Sequence, residues 1–388
     1  MNNIKIAIAH DWLTGMRGGE KCLEVFCELF PDAALFTLLH KKGSVAPVIE
    51  EMDIRTSFLQ KIPGISRNYR RFLPFFTRAI ESFDLSGYDL VLSSSHCVAK
   101  GIKKKEGSLH ICYCYTPVRY AWKFFHEYFS AENPLKQRVI AYYLRRLRKW
   151  DLEANKKVDY FVAISDNIKN RIKEYYSRDA DVIYPPVDVL PGSGDEVRDE
   201  PGYYLIVSAL VPYKRIDLAV EAFNKSGRRL IVIGSGSDLS KLAKKASDNV
   251  KFLGWVSGEE VRKHYSGCRA LIFPGEEDFG IVPVEAQYYG KPVIAYARGG
   301  VLETIVPLGE EQHLDADRSP TGVYFHEQTV NALNEAITRF EKNEHVFEPD
   351  ELKNNARQFN RERFKREIRD YIQEKWWSHI ESQREEAR

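Results

Sequence analysis

A strand end, a loop and a helix start follow one another in the segment Phe273-Pro-Gly-Glu-Glu-Asp-Phe-Gly-Ile-Val-Pro-Val-Glu-Ala286. Residues 270–273 are apolar and predict a buried strand. The acidic, glycine-containing loop leads into a helix predicted over residues 282–289, and Pro283 is tolerated in its first turn. A buried strand that continues through a short loop into a helix is the repeating unit of a parallel α/β sheet.

This loop presents backbone amides and two carboxylates to one region. The free N–H groups of Phe279, Gly280 and Ile281 would point toward a ligand and favour an anion or sugar hydroxyls. Glu277 lies in the loop and Glu285 lies one turn inside the helix, so the two side chains could reach opposite ends of one ligand. Carboxylates bind vicinal diols well because both oxygens accept hydrogen bonds. A solvated acidic loop could also carry two glutamates at this spacing, so the pair alone does not identify a ligand-binding site.

The alternation of strands and helices continues in both directions along the chain. Short apolar runs predict strands at residues 4–9, 90–94, 110–115, 160–163, 203–208, 229–233, 250–252, 270–273 and 293–296. Amphipathic segments predict helices at residues 19–29, 137–154, 216–224, 258–266 and 282–289. The polar segment 189–202, with two Pro and three Gly, reads as a linker between two α/β halves.

Two doubly wound, Rossmann-like domains are therefore predicted, at residues 1–190 and 203–355. Residues 356–388 are predicted to form C-terminal helices that return to the first domain, where Trp376 and Trp377 would pack. Ligands of such sheets bind at the carboxyl ends of the strands, beside helix N-termini. We therefore expect the two domains to face each other across a cleft, with the chemistry in the loops that follow strands.

The composition is that of an ordinary globular protein. The 388 residues are 44% hydrophobic, which excludes disordered and collagenous proteins. The chain carries 57 basic and 55 acidic side chains, so its net charge does not indicate a nucleic-acid-binding protein. No apolar run is long enough to span a membrane, and the N-terminus lacks the apolar core of a signal peptide. The six cysteines form no Cys-x-x-Cys pair, so we expect reduced core thiols in a cytoplasmic protein.

The quoted segment resembles the Glu-x7-Glu signature of the retaining, GT-B-fold glycosyltransferases of family 4. The family pattern usually has Gly where this chain has Asp278. The resemblance implies that Glu277 faces the transferred sugar and that Glu285 holds the nucleotide ribose. It also implies that the backbone at Phe279 and Gly280 contacts the sugar and the diphosphate.

A second segment, residues 208–217, is similar to the family pattern Gly-Arg-Leu-x-x-x-Lys-Gly-x-Asp. The resemblance places Lys214 at the lysine that binds the diphosphate, where a fixed cation stabilises developing charge without a metal. The family's arginine position is Ala209 here, and the adjacent Arg215 is the candidate replacement, in a different geometry. The alternative interpretation of Lys214 and Arg215 is an exposed basic turn.

Glycine-rich loops follow three other predicted strands. Gly18 and Gly19 match the family's Gly-Gly-Ala-Glu loop near the donor phosphate and the acceptor, although a plain helix-start turn has the same composition. The resemblance places Gly234 beside the nucleotide, and it places Gly254 and Trp255 in the loop that holds the base through backbone groups. The alternative for Trp255 is a place in the core.

Candidate acceptor-binding residues lie at strand ends in the first half of the chain. Asp11 follows the first predicted strand, and His96 follows a later one. Relatives often have a His that contacts the sugar 6-hydroxyl where this chain has Tyr115, whose hydroxyl could donate a similar hydrogen bond. Arg119 is a candidate for an acceptor phosphate, with a structural role as the alternative.

No metal site is predicted. His10, His96 and His110 are not at ligand spacing to any cysteine or acidic pair. The acidic residues at 315 and 317 lie far from the motif strands and read as a solvated loop. A metal-independent mechanism is therefore expected.

Two segments of the first half are basic and aromatic. Residues 61–80 hold five basic and no acidic side chains, and residues 119–150 hold eight basic and two acidic ones. Such stretches suit an anionic membrane surface and a lipid-linked acceptor, although a solvated helix face over a core has the same composition. No nucleic-acid motif accompanies them.

The resemblance implies retaining transfer of a hexose from a nucleotide-sugar to a lipid-linked or saccharide acceptor, with the departing diphosphate taking the acceptor's proton. Residues 10–21 look closest to mannosyltransferases of O-antigen and exopolysaccharide assembly, so GDP-mannose is the first candidate donor. The expected location is the cytoplasm, peripheral on the inner face of the cell membrane. Alternatives are another GT-B enzyme, such as an epimerase or phosphorylase, or a non-catalytic scaffold subunit that binds nucleotide-sugar or lipid. An NAD-linked oxidoreductase is disfavoured by the glycine pattern.

Overall fold

The computed structural model describes residues 4–122, 133–188, 202–309 and 318–386. The chain divides into two compact units, one formed by Met1–Pro186 with Glu362–Arg388 and the other by Val187–Arg361. Three segments discussed above lie outside the described residues: 189–201 of the linker, 123–132 of the basic segment 119–150, and the acidic residues at 315 and 317.

The first unit is built on seven parallel strands. They are β1 (Ile6–His10), β2 (Ala34–Thr37), β3 (Asp53–Thr56), β4 (Leu90–Ser95), β5 (Leu109–Cys114), β6 (Tyr160–Ala163) and β7 (Asp181–Val182), in the order β3-β2-β1-β4-β5-β6-β7. Its helices before the second unit are α1 (Gly18–Leu29), α2 (Pro47–Glu50), α3 (Ile65–Asn68), α4 (Leu73–Ile80), α5 (Arg119–Trp122), α6 (Pro134–Asn155) and α7 (Asp166–Tyr176). Every residue of β4 and β5 is buried, as expected for central strands covered on both faces.

The second unit repeats this plan with six parallel strands. They are β8 (Tyr203–Val207), β9 (Leu230–Ile233), β10 (Val250–Gly254), β11 (Cys268–Phe273), β12 (Val293–Tyr296) and β13 (Gly322–Phe325), in the order β10-β9-β8-β11-β12-β13. Its helices are α8 (Ile216–Ser226), α9 (Leu239–Lys245), α10 (Gly258–Gly267), α11 (Ile281–Tyr288), α12 (Val301–Thr304), α13 (Val330–Lys342) and α14 (Pro349–Arg357). The ring of Tyr204 packs edge-on against Phe223 and Phe340, which joins β8 to α8 and α13.

The strand order reverses at one place in each sheet. In the first sheet β1 is flanked by β2 and β4, and in the second sheet β8 is flanked by β9 and β11. All these pairs are parallel, so the loops that follow β1 and β4, and those that follow β8 and β11, leave the same edge of their sheet. Such switch points form ligand-binding crevices in doubly wound folds. The predicted fold class, two Rossmann-like sheets, is confirmed.

The C-terminal helix α15 (Arg361–Glu386) packs on the first unit. A stripe with helical spacing is buried: Phe364, Ile368, Ile372 and Trp376. The Phe364 ring lies edge-on to Tyr113, with their centroids 5.5 Å apart. The expectation that both tryptophans pack is wrong for Trp377, which is 55% exposed because it lies one residue past the buried stripe.

All six cysteines lie in the described part of the chain, are buried, and form no disulfide, as expected for core thiols. Among the described helices, none has the length and apolar character needed to cross a membrane.

Candidate functional site

The loop between β11 and α11 is fixed against the loop that follows β12. Glu277 forms a parallel bridge with Gly299, and the amide of Gly300 donates a 2.8 Å hydrogen bond to the Glu277 carbonyl oxygen. Gly299 has a φ of +82°, and a Cβ at either glycine would collide with the backbone of residues 277–279. These two glycines therefore allow the close approach that holds the Glu277 backbone in place.

Lys214 and Glu277 meet across the switch point of the second sheet. The Lys214 ammonium forms an ion pair with the Glu277 carboxylate, and both side chains are mostly buried. Gly275 allows the two loops to touch, since a Cβ there would lie 2.9 Å from the Lys214 Cα atom. The ammonium also lies over the Tyr213 ring, 5.6 Å from its centroid. The structure thus brings together Lys214 and Glu277, two of the three residues that the sequence predicts to be catalytic.

Arg215 contacts residues on both sides of the Lys214–Glu277 pair. Its φ is +53°, a left-handed conformation that turns the chain into α8. Its guanidinium lies 3.3 Å from Asp217 and donates a 3.2 Å hydrogen bond to Gln328, which in turn donates to the Pro274 carbonyl. These contacts connect α8 to the Glu277 loop, and a direct catalytic role for Arg215 stays a prediction.

A buried tyrosine orients Glu285. The Tyr265 hydroxyl donates a 3.0 Å hydrogen bond to the Glu285 carboxylate, and the Tyr265 ring stacks on Tyr289 with centroids 5.4 Å apart. Burial first, and then the negative charge of Glu285, raise the pKa of Tyr265 well above its usual value, so the hydroxyl remains a donor. Sequence reasoning missed Tyr265, because nothing local marks a residue that contacts Glu285 from another helix.

The end of the β11–α11 loop leads directly into the helix. Gly280, with φ of +96°, precedes α11, and Ile281 is the first residue of that helix. The Phe279 side chain is buried, and its ring lies edge-on to Phe359 with their centroids 5.5 Å apart. The N-terminus of α11 therefore follows Glu277 directly.

The glycines after β9 and β10 serve close backbone packing. Gly234 has φ of +137°, and a Cβ there would collide with the Ser208 carbonyl. The Gly234 amide donates a 2.8 Å hydrogen bond to the Gly254 carbonyl oxygen. These contacts join the carboxyl ends of three strands. The close packing requires glycine at position 234 whether or not a nucleotide binds there. Trp255 is 80% exposed, which excludes the core alternative for this side chain.

Asp11 is a buried anchor at the switch point of the first sheet. One carboxylate oxygen accepts hydrogen bonds from the amides of His96 and Cys97, at 2.7 and 2.9 Å. The other oxygen accepts hydrogen bonds from the backbone amides of Val98 and Ala99, at 2.6 and 2.8 Å. Burial opposes ionisation, yet the charge and hydrogen bonding of His96 hold the pKa of Asp11 well below its usual value.

The prediction that Asp11 contacts the acceptor needs correction. The residue is fully buried and its carboxylate is occupied by the turn that follows β4. It positions His96, whose Nδ1 atom lies 3.0 Å from an Asp11 oxygen. The His96 side chain is 33% exposed, so it remains accessible at this edge of the sheet.

Tyr115 also differs from its predicted role. It is buried, and its hydroxyl donates a 2.8 Å hydrogen bond to the Gly19 carbonyl and shares another with the Ser94 hydroxyl. The Tyr115 ring packs closely on Gly19. This hydroxyl therefore fixes the glycine loop and is not offered to an acceptor, because its hydrogen-bonding capacity is used inside the protein.

This tyrosine belongs to a polar network that sequence reasoning missed. The Ser94 hydroxyl bonds the Nδ1 atom of buried His10 at 3.0 Å, and Glu20 lies 3.8 Å from the other side of that ring. Serines at the end of a wholly buried strand were the available signal, since buried hydroxyls need partners. Gly18 and Gly19 begin α1 above this network, so the loop is anchored by side chains beneath it.

Arg119 is the first residue of α5 and is half-buried, and its acceptor role stays a prediction. Within the described residues, no group of three or more His, Cys, Asp or Glu side chains is arranged to hold a metal ion.

Comparisons with known proteins follow the division into two units. Residues 38–189 match the model of Glycosyltransferase Family 4, and residues 194–359 match that of Glycosyl transferases group 1. An O-antigen chain mannosyltransferase, RfbU of Salmonella typhimurium, is 29% identical over 39% of this chain and 45% of its own length. A GDP-mannose-dependent monoacylated alpha-(1-6)-phosphatidylinositol monomannoside mannosyltransferase of Corynebacterium glutamicum is 34% identical over 26% of this chain and 30% of its own length.

The chain therefore spans less than half the length of these curated relatives. Among solved structures, Anabaena Alr3699/HepE in complex with UDP superposes with a TM-score of 0.69 at 15% identity, over 96% of this chain and 100% of that one. This likeness shows the shared fold of the GT-B glycosyltransferases. The two family models occupy the two units in turn, and the chain belongs to the family 4 glycosyltransferases, glycosyl transferases group 1.

Proposed function

We propose that this protein is a retaining glycosyltransferase that moves mannose from GDP-mannose to a lipid-linked or saccharide acceptor of a surface polysaccharide. The observation that carries the proposal is the Lys214–Glu277 ion pair at the switch point of the second sheet. Mannose is supported by the mannosyltransferase relatives, and GDP by the relative whose activity depends on GDP-mannose.

The contacts of the second unit support a division of labour within the donor site. Lys214 would stabilise the charge that develops on the departing diphosphate, because a fixed cation needs no reorganisation during the reaction. Glu277 would face the transferred sugar. Glu285, oriented by Tyr265, would accept hydrogen bonds from the ribose hydroxyls. The N-terminus of α11 would add amide donors to the same anion. This arrangement supports a reaction that uses no metal.

The surface of the first unit supports a lipid-linked acceptor and a membrane-peripheral location on the cytoplasmic face. In α6 the exposed side chains of Leu135, Val139 and Tyr142 recur at helical spacing, and exposed Arg138 and Arg145 lie among them. In α4, Phe75 is exposed within the basic segment 61–80. Apolar side chains flanked by cations suit an anionic lipid surface.

The function is tested by a nucleotide panel followed by an assay. GDP, UDP, ADP and dTDP are compared by thermal shift in the presence of EDTA, and GDP-mannose turnover is then followed with octyl α-mannoside as acceptor. We expect selective stabilisation by GDP and a product with retained anomeric configuration. A shift without product, unchanged by Glu277→Ala, would indicate a non-catalytic binding subunit. The absence of any shift would contradict the donor site.

The membrane proposal has its own measurement. Cosedimentation with phosphatidylglycerol vesicles should exceed that with phosphatidylcholine vesicles and weaken at high salt. Val139→Asp should reduce it, whereas Leu253→Asp, at an exposed apolar side chain of the second unit, should not. Equal binding to both vesicle types would contradict an electrostatic surface.

A further inference from the structure

A polar cleft lies along the neighbouring helices α8 and α13 of the second unit. Its volume of about 600 Å³ is in the range of small-molecule binding sites. Arg228 lines the cleft and lies two residues before β9 begins, so this part of the cleft is at the amino ends of the strands. Lys214 and Glu277 follow the carboxyl ends of β8 and β11. The cleft is therefore separate from the candidate donor site.

The described residues that line the cleft are all polar or charged. Four of them are cationic, Lys225, Arg228, Arg339 and Lys342, and one, Glu335, carries a carboxylate. The others contribute asparagine amides and the hydroxyls of a serine and a threonine, which donate and accept hydrogen bonds. No aromatic ring of the described lining is available for a nucleobase to stack on. This composition favours an anion that also carries hydroxyl groups.

Most of the positive charge in the cleft is not neutralised within the protein. Arg228 is paired, because its guanidinium donates hydrogen bonds of 2.9 and 2.6 Å to the two carboxylate oxygens of Glu341. In the part of the chain that the structure describes, Lys225, Arg339 and Lys342 form no ion pair, and Lys225 donates its 3.0 Å hydrogen bond to a neutral asparagine amide. Three cations therefore face a single lining carboxylate, which leaves room for an anionic ligand.

Arg339 also has an unused donor. Its Nη2 atom donates a 2.6 Å hydrogen bond to the Tyr324 carbonyl oxygen, which anchors the guanidinium to the end of β13. Its Nε atom is buried and finds no acceptor among the described residues. A buried donor without an acceptor is costly, and an anion that draws Arg339 further into the cleft would supply one. Phosphate suits this role because its oxygens match the planar fork of donors on a guanidinium.

We infer that this cleft is a second ligand site, which binds a phosphorylated sugar. The phosphate contacts Lys225, Arg339 and Lys342, and the sugar hydroxyls form hydrogen bonds with the lining amides and hydroxyls, among them Asn334 and Thr338. The site is formed wholly by the second unit. It does not depend on the identity of the donor, because no residue of the cleft belongs to the candidate donor site.

The test is calorimetric titration of the full chain with mannose 6-phosphate, glucose 6-phosphate, mannose and inorganic phosphate, in a phosphate-free buffer with GDP at saturation. We expect at least one sugar phosphate to bind about tenfold more tightly than mannose or inorganic phosphate, and less tightly at high salt. The double variant Lys225→Gln, Lys342→Gln changes two exposed side chains and should weaken this binding about tenfold or more, since each lysine donates a charge-assisted hydrogen bond. Lys244→Gln, at an exposed lysine of α9, is the matched control and should bind like the wild type.

Each other outcome contradicts the inference. No binding of either sugar phosphate at millimolar concentration would overturn the site, and equal binding of inorganic phosphate would overturn the sugar. Wild-type affinity in the double variant would place the ligand elsewhere. Sugar-phosphate binding that occurs only without GDP would assign the ligand to the donor site. GDP binding to the double variant is measured in parallel and should be unchanged, so a failure of the donor site is recognised separately.

Discussion

The ammonium of Lys214 and the carboxylate of Glu277 form an ion pair that joins the loops after β8 and β11. Each group is mostly buried, so each depends on the other to offset its loss of hydration. A diphosphate bound at Lys214 would become a second anionic partner of the same cation. Under the proposed function, the pair would therefore couple donor binding to the position of the Glu277 carboxylate.

Lys214→Ala should abolish the thermal shift caused by GDP and lower kcat by roughly 10²- to 10³-fold, as loss of one charge-stabilising donor does in other enzymes. It also leaves Glu277 without its cation, so some stability should be lost. The exposed Lys241→Ala on α9 is the control for charge alone. Unchanged GDP binding in Lys214→Ala would refute the diphosphate assignment.

Tyr265→Phe should weaken nucleotide binding while preserving the stack with Tyr289. It removes one hydrogen bond to Glu285, and about 1 kcal/mol corresponds to roughly fivefold in dissociation constant. Tyr289→Phe keeps the stacked rings and the Tyr265 hydroxyl, so nucleotide affinity should stay the same. Calorimetric titration with GDP compares the two variants, and equal affinities would show that Glu285 does not need Tyr265.

Tyr115→Phe should destabilise the first unit by about 1 kcal/mol, because it removes the hydrogen bonds that the buried Tyr115 hydroxyl forms with the Gly19 carbonyl and the Ser94 hydroxyl. Urea unfolding measures this change. Tyr142→Phe, at an exposed tyrosine of α6, should be close to neutral. If Tyr115→Phe unfolded like the wild type but lost acceptor affinity, the hydroxyl would be a ligand contact after all.

Asp11 should make stability pH-dependent. Its pKa is lowered by folding, so the carboxylate contributes its full stabilisation above the unfolded aspartate pKa of about 3.9 and loses it as the pH falls toward the lower folded value. Asp11→Asn should therefore be strongly destabilised at pH 7, and its difference from the wild type should shrink below about pH 4. Urea unfolding at several pH values checks this, and a difference that did not vary with pH would contradict it.

Gly299→Ala should displace the Glu277 loop and reduce turnover. The new Cβ would collide with the Glu277 carbonyl, and φ of +82° adds backbone strain. Gly227→Ala is a matched control, since Gly227 has φ of +71° but a Cβ there would meet no described heavy atom within 4 Å. Both variants carry the strain, whereas the collision is specific to residue 299. Equal kcat in the two variants would show that the loop tolerates the shift.

The sequence predicts the central strands well because each of them contains a run of apolar residues, which parallel sheets bury on both faces. The strand at 90–94 and that at 110–115 coincide with β4 and β5 to within one residue. Short outer strands such as β3, with two exposed residues among its four, carry too weak a pattern to be found. Two short motifs likewise mark Glu277 and Lys214 as candidate site residues, because each motif consists of residues that are close in sequence.

The partners of a side chain are harder to predict. Asp11 is separated from His96 by 85 residues, and Tyr115 from Gly19 by 96. Only the packing of strands and helices shows that Asp11 and Tyr115 face inward. Their hydrogen-bonding groups suit either a ligand or the protein interior, and the fold decides between the two. Trp377 shows the same limit, because a shift of one residue along α15 moves it out of the buried stripe.

The first unit is formed by two separate parts of the chain, the elements β1 to α7 near the N-terminus and the helix α15 near the C-terminus. The second unit lies between these two parts in the sequence. During synthesis, the strands of the first sheet leave the ribosome long before the helix that covers Phe26 and Tyr113. That apolar surface stays open to solvent or to a chaperone until Phe364 arrives. The inserted unit has all its strands available earlier, so the later half of the molecule can complete its folding before the earlier half.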